Sequence, residues 1–521
     1  MRGVLQNMPT RIDFNDIENL DLDESPKFNI VLSKSNNLSD ETMLDCKKQL
    51  EAQANANVEI HQKNDRDLLE VDKVRTLEVL IHAPIRFDPK FLDYILRVFI
   101  KTDTAALYSD FKIENNGVIE GVKLPAWSPI RYESIDYLGP VIVLDLDKLQ
   151  LDTNNHISRE SAIQKSQDVQ TRISRLPRYA YTCEIWEASI KPLELTSTQP
   201  DLISIIIPTQ GLSDEKSSLL ERCLNSMGKQ KVDSGVEVIV VADTSFEPEV
   251  IRKSQELLPP NWTFKLLEFT EPFNFSRKCN AGAAEANGSA LLFLNDDVEL
   301  VSVNLIQKMS ELSMWHAVGA VGCQLRFSDS SIQHAGITLK NSKPRNSYLD
   351  QFSRKTPMGD LESVHEVSAA TGACLALSRD HFDLCGGWNE DLPNSYNDVD
   401  LSLKLNHLGY QSVIRNDVIA THHESSSRDE TFDMHSFKIL KNNWPADLGS
   451  EMYLRTQEAN GAYQGPWGEM RKSHVDANLG LVAYASLLYR TSGFLVLAGS
   501  IFNRLSGRTA RCLSVIHHEY L

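Results

Sequence analysis

The chain has 521 residues, 41% of them hydrophobic and 24% charged, which fits a globular protein of more than one domain. Lys plus Arg total 53 against 71 Asp plus Glu, a net charge of −18, and this excludes broad nucleic-acid binding, which needs a basic face. An anionic small ligand stays compatible where a metal or a helix N-terminus supplies positive field.

In chain order, residues 1–26 are polar and acidic and are expected to be a poorly ordered tail. Phe28–Leu32 reads as a strand, Asp40–Gln53 as a helix, Val58–Ile60 and Leu77–Ile81 as strands, and Lys90–Phe99 as a helix. Strand and helix alternate over 27–190, which predicts a parallel α/β sheet. Its third strand ends in His82-Ala83-Pro84, with no paired acids. Residues 191–201 hold two prolines and small polar residues and read as a linker.

The pattern restarts at 202. Ile203–Ile207 is a strand ended by Pro208-Thr209, and Leu219, Leu220, Cys223, Leu224 and Met227 mark one helix face. Val236–Val241 is a strand ended by Ala242-Asp243, and a helix runs from Arg277 to Ala286. Ala290–Leu294 then delivers Asn295-Asp296-Asp297. Two adjacent carboxylates at the end of a buried strand repel each other and need a cation or donors to hold them. Polar groups thus stand at three strand ends, where ligands bind in open α/β sheets. Thr371–Leu377 reads as a further strand. Asn397-Asp398-Val399-Asp400 opens a helix whose dipole favours carboxylates, and Asp400 reads as a simple cap. His422-His423 follows a short apolar segment; as ligands these histidines would need the acids nearby. Residues 446–521 are expected to be helical. Within them, Leu479–Phe502 is apolar but broken by Arg490, and Arg504, Arg508 and Arg511 follow, which predicts membrane-surface contact through 479–511 without crossing. Eight cysteines show no metal-site spacing, and no signal-peptide stretch opens the chain. Buried free thiols and a cytoplasmic location, peripheral on the inner face of the cytoplasmic membrane, are the expectations.

Residues 202–445 resemble the family 2 glycosyltransferases, in the bacterial rhamnosyltransferase-like, O-antigen-type branch. The matching stretches are Ser204–Thr209, Pro272–Ser276, Leu292–Glu299, Ile332–Gly336, Thr371–Leu375, Asn397–Leu401 and His422–Arg428. The resemblance implies a catalytic domain of GT-A fold (Rossmann-like α/β), a nucleotide-diphosphate sugar donor, a glycan or lipid-linked acceptor, inversion, and Mg²⁺ or Mn²⁺. It assigns the metal to Asp297 with Asp296 helping, adds His422 as a ligand with His423 as the fallback, and makes Asp398 the general base. Pro208, Thr209 and Asp243 are expected at the base and ribose, and Asn280 along the donor pocket. Arg277 and Lys278 read as surface charge. Asn295 departs from the family's pattern of a leading acid.

Residues 27–190 resemble a shortened, degenerate GT-A-like domain. His82-Ala83-Pro84 stands in place of an acidic motif, and Gln167-Asp168-Val169-Gln170 in place of an Asp-x-Asp pair. Self-association is compatible with this reading. A non-catalytic carbohydrate-binding scaffold and a nucleotidyltransferase are the alternatives. Asp296, Asp297 and Asp398 argue against the first, and the lack of a glycine-rich basic loop after Ile207 argues against the second.

Overall fold

The structure is a computed structural model. It describes residues 26–449 except 35–37, 64–73, 116, 126, 152–157, 169–170, 185, 192, 194–198, 210–213, 244–247, 341–342, 350–360 and 424–432, together with 457–459 and 462–464. The apolar and basic segment 479–511 and residues 1–25 of the expected tail lie outside these. Where 446–521 is expected to be helical, the described residues form one helical turn, Asp447–Gly449, and a hairpin of Gln457–Ala459 with Ala462–Gln464.

Two large sheets carry the fold. The first runs, in spatial order, Val58–Gln62, Phe28–Lys34, Arg75–Ile81, Val141–Asp145, Thr104–Ser109 and Arg172–Leu176. All its neighbours pair in parallel except Val141–Asp145, which is antiparallel to both of its partners. The second sheet repeats this order with Gly235–Ala242, Leu202–Thr209, Ala290–Leu294, Cys374–Ser378, Val318–Arg326 and Gln411–His422. Here Cys374–Ser378 is the antiparallel member. The second sheet adds Thr263–Glu268 at one edge and Val298–Leu300 at the other. In both, the strand third in this spatial order runs directly into the stretch singled out above: His82-Ala83-Pro84 in one and Asn295-Asp296-Asp297 in the other.

The central strands of the second sheet, such as Ala290–Leu294 and Cys374–Ser378, are buried along their whole length because helices cover both faces. Successive side chains alternate between two cores. Ile205, Ile207, Leu292 and Leu294 pack with Leu220, Cys223, Leu224 and Met227 of the helix Asp214–Met227. Ile206, Leu291 and Phe293 pack on the opposite face, with Cys279 and Ala283 of the helix Phe275–Ala284 and Leu401 and Leu405 of the helix Asn397–His407. Seven described cysteines are free thiols, and all but Cys385 are buried.

The two halves meet where the short helix Pro129–Ser134 packs on the strand Val364–Val367. Ile130 enters the core of the second half. Glu366, 2% exposed, accepts hydrogen bonds from the Ile130 and Arg131 amides (3.1 and 3.3 Å) and from the Ser128 hydroxyl. Burial pushes its carboxyl from an ordinary 4.5 up to about 7, against the pull of these donors and of the Arg131 charge. The folded protein therefore keeps a proton that the unfolded chain has lost. That contribution to stability is complete below the unfolded value and is lost as pH rises through the folded one. The melting temperature of the wild type is expected to carry a downward component between about pH 5 and about pH 8 that Glu366→Gln removes. Parallel melting curves across that window would show that Glu366 does not titrate there.

Candidate active site

The strand ends converge because Leu202–Thr209, Gly235–Ala242 and Ala290–Leu294 run in parallel, with Thr209 opposite Ala242 and Ile206 opposite Phe293. Beyond these ends lies a cleft lined by Asn295, Thr371, Gly372, Asn397, Asp398 and His422, among others.

Asp297 and His422 meet through strand pairing. Val298–Leu300 lies antiparallel to the end of Gln411–His422, with Val298 opposite His422, and the His423 amide donates to the Asp297 carbonyl at 2.9 Å. His422 Nε2 then stands 3.1 Å from Asp297 Oδ1, and both side chains are nearly buried. His422 Nδ1 lies 2.7 Å from Gln333 Oε1. This contact fixes the orientation of the ring, as an outer hydrogen-bond partner does for a metal ligand. His423 turns the other way, to Glu299 (3.1 Å) and Ser328 (3.2 Å), so His422 is the histidine that shares the cleft with the acids. Asp296, half-buried, precedes Asp297. A carboxylate oxygen suits Mn²⁺ or Mg²⁺. Among the described residues no group of three or more His, Cys, Asp or Glu is placed to hold an ion, so phosphate or water oxygens would complete the sphere.

Asp398 sits in the first turn of Asn397–His407. Its Oδ2 accepts from the Gly372 amide at 3.1 Å and its Oδ1 from the Val399 amide at 2.8 Å. Thr371-Gly372-Ala373 is a turn that enters the strand Cys374–Ser378, not part of a strand as expected, because its amides are spent on the site. A Cβ at Gly372 would come within 2.9 Å of Trp388, so the position admits only glycine without a shift. Asp400 is fully buried, takes the Trp444 indole N–H at 2.9 Å and pairs with Lys404 at 3.2 Å. It holds the helix to the segment after it and does more than cap.

The expectation for Lys278 changes. Lys278 is not surface charge. It is wholly buried, donates to the Thr209 carbonyl at 2.6 Å, pairs with Asp243, and lies 5.3 Å from the Phe273 ring centre. Burial lowers its pKa, and Asp243 opposes the shift. Asn280 does not line the cleft. Its amide is used on the Trp388 backbone (3.0 Å both ways) and on Glu390 (3.0 Å), where it pins the loop after Gly387. Asp168 is the last residue of the helix Arg159–Asp168, and Val169 and Gln170 lie outside the described residues. That helix starts at Arg159, bound to Asp136 at 3.2 Å, and Glu160 stands at its second position, as Asp398 does in Asn397–His407. Arg277, as expected, is surface charge, between Glu271 and Glu390. Pro208 is buried in its strand opposite Val241.

Sequence reasoning missed two supports in Ile332–Gly336. Gln333 aims His422, as above. His334, buried and held neutral by burial with its pKa down at about 4, accepts from the Thr371 and Gly336 amides at 3.3 Å each. Both residues had been quoted as motif without a role, because which side chains they touch depends on packing.

Residues 204–384 match the family model described as glycosyl transferase family 2. They form an α/β domain. The match stops before Asp398 and His422, which the sheet and its last helix bring back to the cleft. An O-antigen biosynthesis protein, RfbC of Myxococcus xanthus, is 31% identical over 229 residues, 43% of this chain and 18% of that protein. An uncharacterized protein, y4gI of Sinorhizobium fredii, is 32% identical over 230 residues, 44% of this chain and 25% of that protein. The alignments thus span a quarter or less of these relatives. Among solved structures, GalNAc-T7 with UDP, GalNAc and Mn²⁺ superimposes with a TM-score of 0.38 at 15% identity, over 47% of this chain and 48% of that one.

Proposed function

We propose that the chain is an inverting, metal-dependent glycosyltransferase that moves a sugar from a nucleotide-diphosphate donor to a hydroxyl of a glycan or lipid-linked acceptor in surface polysaccharide synthesis. The observation that carries this reading is the common cleft of Asp398 and His422, with Asp297 3.1 Å from His422. Asp398 takes the proton of the acceptor hydroxyl; the Gly372 and Val399 amides fix the direction in which its oxygens can do so. Attack on the face away from the diphosphate gives inversion. Asp297 and His422 would hold Mg²⁺ or Mn²⁺, and the bound cation would supply positive charge to offset the leaving diphosphate. Thr209 and Asp243, locked together by Lys278, offer polar groups to the base and ribose.

The first half of the chain is read as catalytically silent. Where the second half has its acidic motif the first has His82-Ala83-Pro84, which cannot serve as a carboxylate pair, and Gln170 stands in place of an acid. The test of the whole reading is a panel of nucleotide sugars given to the full-length protein with and without Mn²⁺. Release of a nucleoside diphosphate from at least one donor, dependent on the cation, is expected. No release from any donor would overturn it.

A further inference from the structure

The strand Val364–Val367 is shared between the two halves. One edge pairs antiparallel with Ser412–Arg415 of the second sheet. On the other side, Ser134 takes the place of a neighbouring strand: its hydroxyl accepts from the Val364 amide at 3.1 Å and donates to the Val364 carbonyl at 2.6 Å. Glu366, on the same strand, caps the first-turn amides at Ile130 and Arg131. Each contact satisfies polar groups that would be costly if left bare in the interior.

The chain leaves this strand through Ser368, Ala369 and Ala370, each tied in turn: Ser368 O to Asn406 at 3.1 Å, Ala369 to Ile337, and the Ala370 amide to Ser402 at 3.4 Å. It then delivers the Thr371 amide to His334 and the Gly372 amide to Asp398. Of the two amides on the Asp398 carboxylate, Val399 travels with the same helix. Gly372 is the reference from outside it.

We propose that the first half of the chain is a built-in positioning partner, and that Glu366 is a positioning residue whose grip on the helix Pro129–Ser134 sets the segment that aims Asp398. This rests on the role given above to Asp398. Catalytic groups need placement within about 0.5 Å, and a misplacement of about 1 Å costs on the order of 10²-fold in rate. A strand held on one side only leaves its exit segment freer to shift by such amounts.

The test compares full-length Glu366→Ala, Glu366→Gln and Ser134→Ala with a control, Ile95→Val, in the core of the first half away from the clasp. Amide hydrogen exchange is followed at 371–372 and at Thr263–Glu268 on the far edge of the same sheet. Glu366→Ala is expected to speed exchange at 371–372 by about tenfold and to leave Thr263–Glu268 and the control unchanged, as a local opening does. Glu366→Gln, which keeps an acceptor oxygen, restores part of the protection. In transfer assays kcat falls by about tenfold or more while the donor KM holds, because only alignment is lost. Unchanged exchange at 371–372, or equal acceleration at Thr263–Glu268, would overturn the proposal. If Glu366→Ala does not fold, Ser134→Ala, which loses the two hydroxyl bonds to Val364, carries the same comparison. A protein that transfers no sugar at all would remove the role of Asp398, and the exchange data would still judge the clasp.

Discussion

Asp398→Asn is expected to abolish sugar transfer while binding of a nucleoside diphosphate with Mn²⁺ stays near wild type. The amide is nearly isosteric with the carboxylate and keeps one oxygen for the Gly372 N–H. What it loses is the capacity to take a proton. General-base catalysis contributes about 10²–10⁴-fold, so a fall of that size is the expected reading in a single-turnover assay. Asp400→Asn is the contrast. That side chain is fully buried between Lys404 and the Trp444 indole, so its replacement should lower the melting temperature before it lowers kcat. Near-normal turnover in Asp398→Asn would reject the assignment.

Asp297→Ala is expected to remove the metal-dependent part of donor binding. The cation would be held between two anionic partners, the carboxylate and the diphosphate, so deletion of one leaves the other unscreened. His422→Ala should act in the same direction. Gln333→Ala keeps both ligands but frees the imidazole to turn, and loss of such an outer partner costs about 10–100-fold in metal affinity. Calorimetric titration of UDP and of GDP, each with and without Mn²⁺, checks the series. The order expected is wild type tightest, Gln333→Ala intermediate, and Asp297→Ala indifferent to the cation. An Asp297→Ala protein with an unchanged Mn²⁺ effect would sink the metal assignment.

The second sheet was legible in the chain because buried parallel strands are unbroken apolar runs with abrupt polar ends. Ile203–Ile207, Val236–Val241 and Ala290–Leu294 all fall inside observed strands, and their polar ends fall at the cleft side. The strand and helix alternation of 27–190 was readable for the same reason. Its matching strand order was not, since order depends on which strands choose each other as neighbours.

Composition and pattern thus determined the α/β class, the strands that end at the cleft, and the acids that stand there. The structure decided the partners. Adjacent strand residues point to opposite faces, so the choice between His422 and His423 depended on the antiparallel register with Val298–Leu300, which brings Asp297 to one and Glu299 to the other. A lysine five residues after the exposed Phe273 carries no local sign of burial, and Lys278 became an interior cation only because Thr209 and Asp243, at the ends of two strands, satisfied it. The link from Ser134 and Glu366 to Gly372 is further still from the sequence. It joins halves of the chain more than two hundred residues apart through hydrogen bonds that exist only once both have folded.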